Sequence, residues 1–193
     1  MLTGKSGVES ALQAVGELLA AEGQQAAIVI VGGSALNLRG VTDRATRDVD
    51  IIALASLPGE RLTDPGPTLG APLARAASLV AQRLGLHANW LNQDVALQWK
   101  QGLPPAFEKR VDWRQYSALS VGVAGRKDLI FLKLYAAADA KGPDSVHFQD
   151  LLRLSPTAAE LKAAAAWVSQ QDQSPEFHRV LTEVTGHAAR ARE

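Results

Sequence analysis

No cysteine occurs in the 193-residue chain, which excludes disulfides, thiolate zinc sites and cysteine nucleophiles and suits a reducing compartment. Any metal must therefore sit on oxygen or histidine. Neither sign of charge is in excess, with Lys plus Arg and Asp plus Glu at 20 each, so the broadly basic surface of a general nucleic-acid binder is missing. A nucleic-acid substrate held locally stays open. The chain lacks a basic start followed by an apolar stretch and a small-residue cleavage site, and no window approaches the length of a membrane span. The expectation is a cytoplasmic protein with no membrane partner. No internal repeat is evident, and the abundant alanine favours helices rather than marking low complexity.

What is present is ordinary globular composition, 47% hydrophobic and 21% charged, enough for one compact unit that folds alone. Leu12, Val15, Leu18 and Leu19 recur at helical spacing, predicting an amphipathic helix over Glu9–Ala21. Ala27–Val31 is a continuous β-branched run, apolar on both faces as a central strand requires. Gly32-Gly33-Ser34 ends it and a short helix follows from Ala35 to Leu38. An arginine-rich loop, Arg39–Arg47, leads into a second strand over Asp48–Ile52. Ser56–Pro72, with four prolines and three other turn-forming glycines, reads as a flexible loop able to cover a site. A helix over Leu73–Leu84, a weak strand over His87–Leu97 and a short strand over Ser117–Val123 complete the first half. After Gly125 the pattern is helical: Lys127–Asp139, Val146–Leu154, Thr157–Gln170 and Pro175–Ala189. Thr157 and Glu160 have capping-box spacing ahead of an apolar stripe.

Alternation along a strand puts Asp48 and Asp50 on one face. Two carboxylates this close raise each other's pKa or need a cation between them, and Mg²⁺ prefers such oxygen ligands, completing its shell with water and phosphate. Taken alone, a D-x-D is more often a solvated strand end. Gly32 and Gly33 permit close backbone approach, and Ser34 opens a helix whose free N–H groups favour anions. The plainer reading of that turn is a tight strand-to-helix connection capped by Ser34. Neither G-x-G-x-x-G nor G-x-x-x-x-G-K-[ST] is present, so dinucleotide-binding and P-loop readings have no support.

Taken together, the segment reads h-G-G-S, thirteen residues, then D-h-D-h. This closely resembles the signature of the polymerase-beta-like nucleotidyltransferase superfamily. The resemblance implies a Gly-Ser turn holding the triphosphate and two aspartates binding Mg²⁺ or Mn²⁺. Downstream, Lys127-Asp128-Leu129-Ile130, Lys133-Leu134 and His147-x-x-Asp150-Leu151 resemble the second half of abortive-infection (AbiEii-type) toxin nucleotidyltransferases, the likeness spanning about Ala26 to Gln170. In that group a helix lysine and a later helix aspartate complete the nucleotide site, and motif matching carries these roles to Lys133 and Asp150.

Lys133 also stands out on physical grounds, because its helix is apolar nearly all round and a buried ammonium needs a phosphate or a carboxylate such as Asp150. The alternatives are a lysine snorkelling to water and an aspartate paired with Arg153 on its own helix. Arg39, Arg44 and Arg47 lie between turn and aspartates, as grips for a triphosphate or an RNA backbone or as a solvated loop. The four histidines, His87, His147, His178 and His187, have no mutual metal spacing. A third carboxylate, which the superfamily often carries on a later strand as general base, has Asp94 as its nearest counterpart.

These readings converge on an α/β (α+β) fold: a mixed-sheet nucleotidyltransferase core over 1–125, with a helical C-terminal half, 126–193, packed on it in a single compact unit. The implied reaction moves a nucleoside monophosphate from a nucleoside triphosphate to an acceptor hydroxyl. By resemblance the acceptor is the 3′ end of a tRNA or another RNA, and a neighbouring antitoxin is a partner. The rivals are a small-molecule, aminoglycoside-type nucleotidyltransferase and a catalytically degenerate nucleotide-binding module.

Overall fold

The computed structural model of the protein describes residues 1–140 and 142–191. The chain divides into two compact units, residues 1–124 and 125–193, each described here by itself. The first is built on a five-stranded mixed sheet and the second is helical, the α/β class that the sequence pattern implies.

In the first unit, α1 (Gly4–Ala21) buries Val8, Ala11, Leu12, Val15 and Leu19, the helical stripe seen in the sequence. Gly16 also lies on this buried face, and a Cβ there would collide with the Tyr116 carbonyl oxygen. β1 (Ala26–Val31) is buried from Ala27 onward, which fits its central place in a sheet of order β3-β2-β1-β5-β4. It pairs antiparallel with β2 (Val49–Ala55), with a register irregularity between Val29 and Ile30, and parallel with β5 (Leu119–Val123). α2 (Gly32–Leu38) follows β1 without an intervening loop.

α3 (Ala71–Leu84) starts with a proline in its first turn and stops at Gly85 in the left-handed conformation. The indole of fully buried Trp90 donates to the Ala77 carbonyl at 2.9 Å, tying the chain ahead of the next strand to α3. That strand, β3, is only Leu91–Asn92, parallel to β2. The strand expected over His87–Leu97 is cut short because residues 94 and 95 turn and α4 (Ala96–Gln101) begins at once. A 3₁₀ turn over Phe107–Arg110 leads to β4 (Asp112–Tyr116), antiparallel to β5 at the sheet edge.

The proline-rich segment after β2 is more fixed than its composition suggests. Leu54 and Thr63 form an isolated bridge, Leu62 is buried, and the Gln93 amide donates to the Pro65 carbonyl at 2.9 Å. These ties anchor its middle beside β3.

The second unit has α5 (Arg126–Asp139), α6 (Val146–Arg153), α7 (Ala158–Val168) and α8 (Pro175–Arg190). α5 packs against the other three and buries Leu129, Ile130, Phe131, Leu134, Ala137 and Ala138. Thr157 and Glu160 form the reciprocal capping box at the start of α7, as their spacing predicts. Among the described residues no helix is long and apolar enough to cross a membrane.

Candidate functional site

The end of β1 places the glycine turn against the first residues of β2. Val31 and Asp50 are register partners, so the Asp50 side chain stands beside Gly32, the next residue along. Gly32 has φ +72°, and a Cβ there would overlap the Asp50 carboxylate oxygen Oδ2. Only glycine fits both the backbone angle and the space. A Cβ on Gly33 would lie 3.0 Å from Thr46 Oγ1 and 3.1 Å from Arg44 Nη2. The turn is thus fronted by a carboxylate at Gly32 and by a guanidinium and a hydroxyl at Gly33.

Ser34 is fully buried and its hydroxyl donates to the Val31 carbonyl at 3.2 Å. Its side chain therefore braces the turn from inside. It is not the helix cap, a position held by Val31 without a side-chain hydrogen bond.

Asp48 precedes β2, which begins at Val49, so the first aspartate sits at the strand's mouth rather than in it. Both Asp48 and Asp50 are half-buried. The Asp48 carbonyl accepts from Thr46 Oγ1 at 3.3 Å. Thr46 in turn exchanges both backbone hydrogen bonds with Leu2 at 2.9 Å. Asp43 Oδ1 accepts from the Lys5 amide at 3.3 Å. The arginine-rich loop is consequently stitched to the start of α1.

The three loop arginines have different fates. Arg39 donates to the carbonyls of Ala124 at 2.6 Å and Val123 at 3.3 Å, securing the end of β5. Arg47 is exposed. Arg44 is half-buried at the turn, with its carbonyl accepting from Asn37 Nδ2 at 3.0 Å. The sequence gave no means of ranking the three, because their separation depends on how the loop closes against Leu2.

On the other side of β2, Asp50 is in register with Asn92 of β3. Parallel partners project to the same face of a sheet, so a buried amide flanks the carboxylate. Asp94 is exposed in the turn after β3, where its amide donates to Asn92 Oδ1 at 2.8 Å and its carboxylate accepts from Asn89 Nδ2 at 3.4 Å. It does not share a strand with Asn92. Among the described residues there is no group of three or more His, Asp or Glu side chains arranged to hold a metal ion. The donor set at the turn is Asp48 and Asp50, which suits a hard divalent cation that keeps several waters and takes further oxygens from a phosphate.

In the second unit, Lys133 and Asp150 are both buried and form an ion pair at 2.9 Å. Arg153 approaches the other Asp150 oxygen at 3.5 Å. The buried ammonium has thus found a carboxylate, and the snorkelling alternative falls because Lys133 is only 5% exposed.

The sequence matches, over residues 10–153, the family described as nucleotidyltransferase of unknown function (DUF6036). No curated protein and no solved structure matches the chain.

Proposed function

Because the chain belongs to that nucleotidyltransferase family, we propose that it transfers a nucleoside monophosphate from a nucleoside triphosphate to an acceptor hydroxyl, with Mg²⁺ or Mn²⁺ held by Asp48 and Asp50. The observation that carries this is the Asp50 carboxylate set against Gly32 at the end of the central strand. Carboxylate oxygen and approachable backbone meet there, as a metal-bound polyphosphate requires. When bound, the cation offsets charge on the phosphates and on the departing pyrophosphate.

The chain's own groups supply position. Gly32 and Gly33 admit the phosphates, the buried Ser34 hydroxyl fixes the turn, and the Thr46 hydroxyl holds the Asp48 carbonyl. In the transfer, the bond between the α-phosphorus and its bridging oxygen breaks, a new ester forms to the acceptor oxygen, and pyrophosphate leaves with the bridging oxygen. The acceptor's proton goes to solvent or to a base. Asp94, in its exposed turn, is left out of the ligand set.

The likeness to AbiEii-type toxins extends the reading to a tRNA 3′ end or another RNA as acceptor, to growth inhibition and to a neighbouring antitoxin. Expression in a bacterial host then slows growth with the wild type and not with the Asp48→Asn, Asp50→Asn double variant. Equal growth at matched soluble expression counts against the toxin role. A small-molecule acceptor would remain compatible with that outcome.

One observation favours a second reading, a nucleotide-binding module without turnover: the neutral Asn92 stands beside Asp50 where a further carboxylate would strengthen a cation site. Thermal denaturation with each nucleoside triphosphate tests the binding common to both, since a ligand of the folded state raises its melting temperature. Stabilisation that requires Mg²⁺ or Mn²⁺ is expected. Its absence with all four triphosphates removes both readings, and stabilisation without pyrophosphate release in the presence of acceptors leaves the second.

A further inference from the structure

The glycine turn is divided by charge. The Asp50 carboxylate fronts Gly32, and the Arg44 guanidinium lies over Gly33, with Nη2 3.1 Å from where a Cβ would stand. A metal-bound polyphosphate is divided in the same way, with cation at one end of its contact and anionic oxygens at the other. We propose that Arg44 is the residue that reads the polyphosphate chain, gripping a phosphate beyond the one nearest the Asp50 side and so selecting ligands with at least two linked phosphates. This rests on the nucleotide reading above and specifies its ligand.

Three features support Arg44 over its neighbours. Its guanidinium presents donors in a planar fork that matches phosphate oxygens in pairs, which a lysine cannot reproduce. Its backbone is held from both sides, by Asn37 Nδ2 on its carbonyl and by Thr42 Oγ1 accepting from its amide at 3.4 Å. Asn37 is fully buried, and its Oδ1 has no hydrogen-bond partner. A half-satisfied buried amide costs stability that an aliphatic residue would not, and its Nδ2 contact to the Arg44 carbonyl supplies a positional reason for it. Arg39 is engaged at the end of β5, and exposed Arg47 has no such anchorage at the turn.

Isothermal titration of the full chain with inorganic tripolyphosphate and with orthophosphate, both in Mg²⁺, tests the assignment. Wild-type protein should bind tripolyphosphate more tightly than orthophosphate, and Arg44→Gln should weaken tripolyphosphate about tenfold, the loss expected for a charge-assisted paired contact. Orthophosphate should change little. Arg44→Lys should recover part of the loss, because charge returns without the fork. A thermal melt of each ligand-free variant checks folding. If Arg44→Gln does not fold, Arg44→Lys decides alone, weaker tripolyphosphate binding supporting the grip and wild-type affinity overturning it. Wild-type affinity in a folded Arg44→Gln variant overturns the inference while nucleotide binding by the parent protein stands. Failure of the parent to bind either tripolyphosphate or any nucleoside triphosphate overturns both together.

Discussion

Gly32 carries two constraints at one residue: a φ of +72° and a Cβ position already occupied by the Asp50 carboxylate. Gly32→Ala should therefore cost about 1–2 kcal/mol in backbone strain alone and should also push Asp50 from its place. Nucleotide affinity measured in Mg²⁺ should fall by more than the loss of thermal stability accounts for. Unchanged affinity in a folded variant would mean that Asp50 does not hold the cation. At Lys133 the physics is that of a buried pair. Removing one partner leaves an uncompensated charge, so Lys133→Met should destabilise by about 3 kcal/mol or more, and Lys133→Met with Asp150→Leu should regain most of it. Chemical denaturation measures both. The double variant also separates roles: a pair that is only structural leaves nucleotide affinity at the parent value once stability returns, whereas the role implied by the toxin likeness predicts a loss that persists.

At the scale of elements, the start of α7 is a clip joining three parts of the helical unit. Arg126 donates to the Leu154 and Ser155 carbonyls and pairs with Glu160 at 2.6 Å, while Glu160 closes the capping box with Thr157. The hydrogen bond from Arg126 is the main reason the Glu160 carboxyl is lowered from its ordinary 4.5 to about 2. A carboxylate whose folded pKa is depressed stabilises the fold fully above its unfolded pKa and loses that contribution as pH falls through the folded one. The stability advantage of the parent over Glu160→Gln should thus be constant above pH 4.5 and shrink between there and about 2. Acid titration of the two melting curves reads the difference, and a gap independent of pH would show that the clip does not depend on the charge.

Elements with strong periodicity were legible before the structure: α1, β1, the box at α7 and the helices after Gly125 all follow from apolar spacing or capping residues. β4 was not, because Asp112-Trp113-Arg114-Gln115-Tyr116 is an edge strand with no continuous apolar face. β3 was overextended because Trp90 and Leu91 are apolar neighbours, although Trp90 is committed to α3. The aspartates and glycines of the site were legible because the chemistry fixes both residue type and spacing. Arg44 could not be separated from Arg39 and Arg47, since what places it is the distant Leu2–Thr46 bridge together with Asn37.

Over the whole molecule, the family match runs from residue 10 to residue 153, taking in all five strands and ending with α6. α7 and α8 lie beyond it. Equal numbers of acidic and basic residues give no long-range pull on an RNA, so recognition of any such acceptor must come from local groups. The central claim is cation-dependent nucleotidyl transfer at Asp48 and Asp50, and losing a group that acts mainly in the transition state should depress turnover far more than binding. The most direct measurement is incubation of the full chain with each α-phosphate-labelled nucleoside triphosphate, Mg²⁺ and total cellular RNA or protein, with Asp50→Asn run alongside. Label entering a macromolecule with the parent protein and not with the variant is the predicted result; label in both, or in neither with all four triphosphates, would contradict the claim.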